Sequence, residues 1–327
     1  MSVILIRADG GPTIGFGHVT RCRALARTLH ELGRQVLWIT RTPDVLPADV
    51  KALCEIVSVT QTDEFEALST LARRHEAPVL IGDWKDTDPI LVQRLRGTGL
   101  PVALLGNQTG AARADLIVKQ RFVPQPETRG VHYLDGPEHL LLPAAFSALT
   151  PPVAVTQAQS VFVSLGGSQS ELIDHCLALC EELCRQRNLE VDILRPDSRG
   201  TPHRARDVAE RMRAADFAVM AGGTSLHEAA ACRLPAICLP IVPHQLDRAR
   251  SWEALGFGVS LVPHTPHWES QFATAFNRFH TDVEIRQGAI EKMAASVDGL
   301  GARSGSPNSS TRPGPVSRRR QNRPKTA

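Results

Sequence analysis

A chain of 327 residues, 42% hydrophobic and 22% charged, holds enough apolar material for two domains of ordinary size. Its formal net charge of +3 comes from the end of the chain: residues 301–327 carry seven arginines and lysines and no acid, so the remaining body is mildly acidic. That balance argues against a nucleic-acid-binding body, and seven cysteines with no close paired framework argue against a secreted disulfide scaffold.

In chain order, residues 3–6 form the first strand-like run, with no basic segment and longer apolar stretch of the kind that marks a leader. No run of about eighteen apolar residues follows anywhere, so no membrane span is expected and a reducing cytoplasm is the expected home. An amphipathic helix is expected from about His18 to Leu32, with Ala24, Leu25, Leu29 and Leu32 near one face and Gly33 as its stop. Further strands are expected at 36–39, 55–59, 79–81, 102–105 and 116–118. Strands alternating with helices imply right-handed βαβ units and a mostly parallel sheet. Pro151-Pro152 interrupts the pattern and reads as a hinge between a domain at 1–150 and another at 151–303. The second set has strands at 161–165, 191–194, 217–220, 236–239 and 259–262, with helices near 170–186, 203–213, 224–232 and 245–255. Cys176, Cys180 and Cys184 share one helix face, but their spacing matches no usual zinc pattern, so they read as small buried hydrophobes and no metal site is expected. Residues 304–327, rich in Gly, Ser, Pro, Asn and Arg, read as a disordered basic tail.

Both halves begin with a strand running into a glycine turn and then a helix. In the first, Gly15-Phe16-Gly17-His18 lets backbone approach a ligand closely, and the following helix points N–H groups and its positive end into the same loop. That suits a diphosphate or other anion, although the segment is neither a full dinucleotide fingerprint nor a P-loop. His18, at the loop–helix junction, can take a proton from water when neutral, or can merely bond the loop. In the second half, Gly166-Gly167-Ser168 closes a strand. Later, Gly222-Gly223-Thr224-Ser225 offers N–H and hydroxyl donors to phosphate oxygens. Glu228, one turn into the next helix, can accept both hydroxyls of a ribose or pair with helix donors. Asp83 can bind a substrate hydroxyl or amide, and Trp84 can stack on a sugar face; plain packing is the alternative for both. His244-Gln245 can meet the sugar or phosphates, or form a turn after Pro243. Two α/β halves place the carboxyl ends of their strands, and so these loops, where a shared cleft can form.

In order and spacing these pieces resemble the UDP-sugar hydrolase family of pseudaminic acid biosynthesis. The matching segments are Arg7-Ala8-Asp9 through Gly17-His18 with Arg21-Cys22; residues 114–117; residues 136–142; residues 161–168; Ala215-Asp216 with residues 221–228; and residues 298–303. The resemblance implies two facing Rossmann-like domains of the glycosyltransferase-B type with a cleft between them. It implies hydrolysis of UDP-2,4-diacetamido-2,4,6-trideoxy-β-L-altropyranose, in which His18 activates water for inverting attack at the anomeric carbon. It further implies that Glu228 holds the ribose, that the Gly222–Ser225 turn holds the diphosphate beside Gly15, Gly17 and Arg21, and that no metal or other cofactor is used. The expected partner is thus a UDP-sugar, and a monomer suffices. The chain departs from the family at His244, where asparagine is usual, at Trp84, where a tyrosine is usual, and at Gly106-Asn107, where an acidic pair is common. It also loses the family pattern just after Arg303, where a closing helix is expected and a polar tail follows, as a change of reading frame would produce. Two alternatives stand beside hydrolysis: glycosyl transfer from the same donor to an acceptor hydroxyl, and a non-catalytic nucleotide-sugar binder. A dehydrogenase is disfavoured, because neither half has the complete glycine turn with its acidic partner.

Overall fold

A computed structural model of the protein describes residues 3–11, 14–60, 62, 64–106, 113–123, 130–147, 149–166, 170–195 and 204–304. The expected basic tail therefore lies almost wholly outside the described residues.

The first half has strands β1 (Val3–Ala8), β2 (Gln35–Thr40), β3 (Glu55–Ser58), β4 (Leu80–Asp83), β5 (Val102–Leu105), β6 (Leu116–Val118) and β7 (His132–Leu134). They make a seven-stranded sheet in the order β3-β2-β1-β4-β5-β6-β7, every pair parallel. Its helices are α1 (Gly17–Glu31), α2 (Ala48–Leu53), α3 (Glu64–Arg74) and α4 (Pro89–Gly97). The central strands are buried on both faces, which is why they read as continuous apolar runs. Val19, Cys22, Leu25 and Leu29 of α1 cover one face, against Ile4, Ile6 and Trp38. Leu68, Val92 and Leu95 of α3 and α4 cover the other, against Leu5, Leu37 and Leu80. Leu32 does not join the apolar face as expected: it is the helix's exposed end residue, and Gly33, at φ +71°, turns the chain away.

The second half has β8 (Ser160–Ser164), α5 (Glu171–Arg187), β9 (Glu190–Ile193), α6 (Ala205–Ala214), β10 (Phe217–Met220), α7 (Ser225–Cys232), β11 (Ala236–Cys238), α8 (Leu246–Ala254) and β12 (Gly258–Ser260). Its sheet is five-stranded and parallel, in the order β12-β11-β10-β8-β9. Two helices beyond those expected follow, α9 (Trp268–Thr281) and α10 (Val283–Ser296), and the short α11 (Gly301–Ser304) closes the described chain. Cys176, Cys180 and Cys184 are buried with Phe272 and Phe276 of α9, as small hydrophobes. The fold is thus two Rossmann-like α/β lobes.

The lobes interlace where they meet. Leu140 and Leu142 pack into the second lobe's core with Phe122 and Phe146, while Leu141 between them packs into the first lobe's core. Extended backbone sends alternate side chains to opposite sides, so one short segment serves both cores. Gln120 fixes it: its Oε1 accepts from Leu141 N at 2.9 Å and its Nε2 donates to the His139 carbonyl. At the other crossing, Ser147 Oγ donates to the Gly299 carbonyl at 2.8 Å and Ala302 of α11 enters the first lobe's core. Pro151 and Pro152 are exposed, as a connecting segment would be. Just beyond them the fully buried Arg286 donates to the carbonyls of Val155, Thr156, Phe279 and His280 and so ties the connector to the α9–α10 junction. Among the described residues no helix is long and apolar enough to cross a membrane.

Candidate functional site between the lobes

β1 delivers the chain to the first glycine turn. Gly11 (φ +142°) and Gly15 (φ +88°) face each other across a small bridge, with Gly15 N donating to Gly11 O at 2.7 Å. A side chain is strained at either position, so both glycines are dictated by the backbone. A buried charge network supports the turn. Arg7 donates to Asp9 (2.8 Å) and Glu64 (2.6 Å), and Asp9 also accepts from the Arg41 amide and the Thr40 hydroxyl. Burial pushes the Asp9 carboxyl up, but the Arg7 bonds and charge and the Arg41 amide outweigh it and leave it below its ordinary value. Trp84 Nε1 donates to Glu64 at 2.9 Å, and the indole lies over Gly82 in the core. Trp84 is packed rather than offered as a stacking platform, so the packing alternative holds for it.

α1 sets His18 and Arg21 one turn apart, on the side facing the end of β4. Parallel pairing of β1 with β4 puts Asp83 beside Ala8. Asp83 Oδ1 lies 2.7 Å from His18 Nδ1, and Arg21 forks onto both carboxylate oxygens, Nε to Oδ2 and Nη2 to Oδ1, each at 2.9 Å. Asp83 is fully buried; burial pushes its carboxyl up, but the Arg21 charge and the His18 and Arg21 bonds hold it below the ordinary value. An ionised carboxylate only accepts, so His18 donates from Nδ1, and in the neutral tautomer this selects, the lone pair is on Nε2. The 3.1 Å approach of Arg21 Nη2 to the same Nδ1 is then a contact, not a bond. The sequence offers Asp83 either to a substrate hydroxyl or amide or to plain packing; in the structure His18 and Arg21 occupy both its oxygens. Gly106 (φ +90°) turns against this pair, 3.5 Å separating its missing Cβ from Arg21 and from Asp83, while Asn107 lies outside the described residues.

In the second lobe, β10 runs into Ala221-Gly222-Gly223. A Cβ on Gly222 would stand 2.8 Å from Gln245 Cβ and O, so this glycine admits the close approach of the 243–245 turn. Thr224 and Ser225 open α7. Glu228 is partly buried, its carboxylate makes no hydrogen bond to any described residue, and burial alone pushes that carboxyl up to about 7. The helix-capping alternative for it is therefore not realised. Gln245 Oε1 accepts from Ile241 N at 2.8 Å, and His244 is exposed. Gly166 (φ +92°) ends β8 as a turn; Gly167 and Ser168 lie outside the described residues.

The two turns meet. A Cβ on Gly17 would lie 3.4 Å from Arg21 Nη1 and 3.9 Å from the Thr224 methyl of the other lobe. A narrow cavity there is lined by Gly17, Arg21, Leu142, Thr224, His227 and Glu228. The structure thus brings Gly17, Arg21, Thr224 and Glu228 together, with His18 and Asp83 on the first-lobe side and Gly222 and Gln245 on the second. A larger hollow, about 270 Å³, lies on the other face of the first sheet between Arg41, Phe65, Trp84 and Arg94. Sequence reasoning missed Arg248. Its Nε donates to His227 Nε2 at 3.1 Å and its Nη1 to the Gly222 carbonyl at 2.8 Å. Its signal was position: it stands one helical turn after Gln245, on the side that faces the diglycine turn. His227 accepts this bond as a neutral ring, since burial, then Arg248 and Arg21, hold its pKa well below the ordinary value.

No family model matches the chain. It is 24% identical over 286 residues to the spore coat polysaccharide biosynthesis protein SpsG of Bacillus subtilis (strain 168), covering 78% of this chain and 82% of SpsG. Among solved structures it is similar to MurG of Acinetobacter baumannii, with a TM-score of 0.64 at 14% identity, covering 92% of this chain and 97% of MurG. It is also similar to the spinosyn rhamnosyltransferase SpnG complexed with thymidine diphosphate, with a TM-score of 0.60 at 16% identity, covering 93% and 98%. The calicheamicin glycosyltransferase CalG4 matches with a TM-score of 0.60 at 16% identity, covering 93% of this chain and 96% of CalG4. The chain has the glycosyltransferase-B architecture of these proteins.

Proposed function

We propose that the protein hydrolyses UDP-2,4-diacetamido-2,4,6-trideoxy-β-L-altropyranose to UDP and the free sugar. The observation that carries this reading is the 2.7 Å contact between His18 Nδ1 and Asp83, which leaves Nε2 as the basic atom of a neutral ring next in the chain to Gly17, the residue that meets Thr224 of the opposite lobe. In this reading the lobes are 1–150 and 151–303. The second binds UDP: Gly222, Gly223, Thr224 and Ser225 take the diphosphate, Glu228 takes the ribose, and Gly166, Gly167, Ser168, His244 and Gln245 complete the cleft. Gly15, Gly17 and Arg21 close on it from the first lobe. His18 Nε2 accepts a proton as a water oxygen bonds to the anomeric carbon. The C1–O bond breaks with its electron pair going to UDP, and attack opposite the leaving group inverts the centre. Backbone N–H donors at the diglycine turn and the α7 N-terminus can take up the charge on the departing diphosphate, so the reaction needs no metal or other cofactor. The name of the SpsG relative, a polysaccharide biosynthesis protein, and the thymidine diphosphate bound to SpnG support a sugar-nucleotide reading. A cytoplasmic monomer suffices for it.

A second reading, glycosyl transfer, is favoured by the glycosyltransferases among the structural neighbours. The same histidine would then deprotonate an acceptor hydroxyl. The test is UDP release from the proposed substrate without added metal, comparing the native protein with His18→Ala. Hydrolysis predicts release by the native protein and a loss of at least about a hundredfold in the variant, the usual scale of a missing general base. Equal rates would remove His18 from its role, and release only with an added acceptor would replace hydrolysis by transfer.

A further inference from the structure

Two guanidinium groups approach the lobe junction from opposite sides, and among the described residues only one has a counter-ion. Arg21, on the first lobe, gives two of its nitrogens to Asp83 and leaves Nη1 beside Gly17, in a cavity that Thr224 of the second lobe also lines. Arg248, on the second lobe, gives Nε to a neutral histidine and Nη1 to a backbone carbonyl, and no described carboxylate pairs with it. Its Nη2 is bonded to no described residue. The two arginines sense each other. Burial, and then repulsion from Arg21, push the Arg248 guanidinium down to about 10. Glu228, the acid in the cavity that Arg21 lines, is not the missing partner: it makes no ion pair with Arg248, and burial raises its carboxyl with neither arginine holding it down. A desolvated cation within electrostatic reach of a second cation, and bonded to the diglycine turn, is a site short of negative charge.

We propose that Arg248 and Arg21 form a two-lobe clamp on the diphosphate of a nucleoside diphosphate, with Arg248 the second-lobe jaw. The inference rests on the nucleotide-sugar reading above for the identity of the ligand, and it adds a ligand-binding residue to that site. A diphosphate supplies the negative charge that Arg248 lacks. It also spans the gap, so that one anion touches both lobes and the repulsion between the arginines becomes shared attraction. The sugar beyond the second phosphate is then held on the side of His18.

The clamp is tested by calorimetric binding of UDP, UMP and inorganic pyrophosphate to the native protein, to Arg248→Ala and to Arg248→Lys, with melting temperatures measured alongside. Loss of charged hydrogen bonds predicts that Arg248→Ala weakens UDP and pyrophosphate about 10- to 100-fold. UMP should change several-fold less, and lysine should restore part of the difference, because it keeps a charge but loses the fork. Unchanged UDP affinity in Arg248→Ala would overturn the clamp. So would equal weakening of UDP and UMP with a lowered melting temperature, since Arg248 would then only brace the Gly222 carbonyl. If Arg248→Ala fails to fold, Arg248→Lys carries the same comparison: UDP must weaken more than UMP. The reading beneath fails separately. A native protein that binds pyrophosphate but not UDP ends the uridine assignment while supporting the clamp; one that binds neither ends the clamp.

Discussion

His18 and Asp83 are 65 residues apart in the chain, yet Nδ1 of one lies 2.7 Å from Oδ1 of the other. The contact makes Nδ1 the donor, and in the proposed mechanism Asp83 therefore acts through His18. Asp83→Asn would offer an amide in place of an acceptor-only carboxylate and leave the Arg21 charge without its partner. We expect UDP release to fall by about a hundredfold or more, approaching the loss in His18→Ala. Removing the buried partner of an ion pair should also cost about 3 kcal/mol, read by denaturant titration. A variant with native turnover would show that the imidazole needs no orienting group.

Glu228 predicts a pH effect of definite sign. Burial raises its carboxyl to about 7 from an ordinary value of 4.5, so the folded state holds the proton more tightly than the unfolded state. Its contribution to stability is therefore present below about pH 4.5 and is lost as pH rises towards 7. Glu228→Gln should melt higher than native at pH 8, by an amount worth on the order of 1–3 kcal/mol, with the difference shrinking at pH 5. A difference independent of pH between 5 and 8 would contradict this.

The Arg7 network predicts a large structural effect away from any substrate. Arg7 is fully buried between Asp9 and Glu64. Glu64→Ala should destabilise the protein by about 3–5 kcal/mol, because it strands a buried guanidinium and removes the Trp84 acceptor. Glu64→Gln, which keeps an acceptor oxygen, should cost clearly less. Chemical denaturation of the three proteins makes the comparison, and equal costs for the two variants would show that the acceptor oxygen contributes nothing there without its charge.

Two glycines make a matched pair. Gly299 sits at φ +72°, and a Cβ there would stand 2.2 Å from the Phe146 carbonyl oxygen. Gly288, inside α10, has nothing within 4 Å of its missing Cβ. Gly299→Ala should cost more than about 1 kcal/mol through strain at the lobe crossing, whereas Gly288→Ala should gain about 0.5–1 kcal/mol from helix propensity. Melting temperatures that move in the same direction would refute the pair.

Much of the fold is legible in the residue pattern because parallel strands buried on both faces appear as short apolar runs. β7 is not, because His132-Tyr133-Leu134 is three residues long and partly exposed. α10 is obscured by Gly288 and by polar residues spread round it, although Phe272, Phe276 and Phe279 of α9 recur at helical spacing. At the site, the glycine turns are legible as local chemistry. The pairing of His18 with Asp83 is not, since it arises from the register of β1 against β4. Arg248 is hidden for a related reason: arginines are common on exposed helix faces, and only the packing of α8 against the diglycine turn sets this one apart.

The alternation of Leu140, Leu141 and Leu142 between two cores, with Ala302 returned to the first, means that no single cut yields two complete bodies. A fragment ending at residue 150 would keep Phe122 and Phe146 with nothing to cover them and would lack the Ala302 plug; its complement would have holes where those rings belong. Produced separately, such fragments would be adhesive and poorly ordered, and their best remedy would be each other.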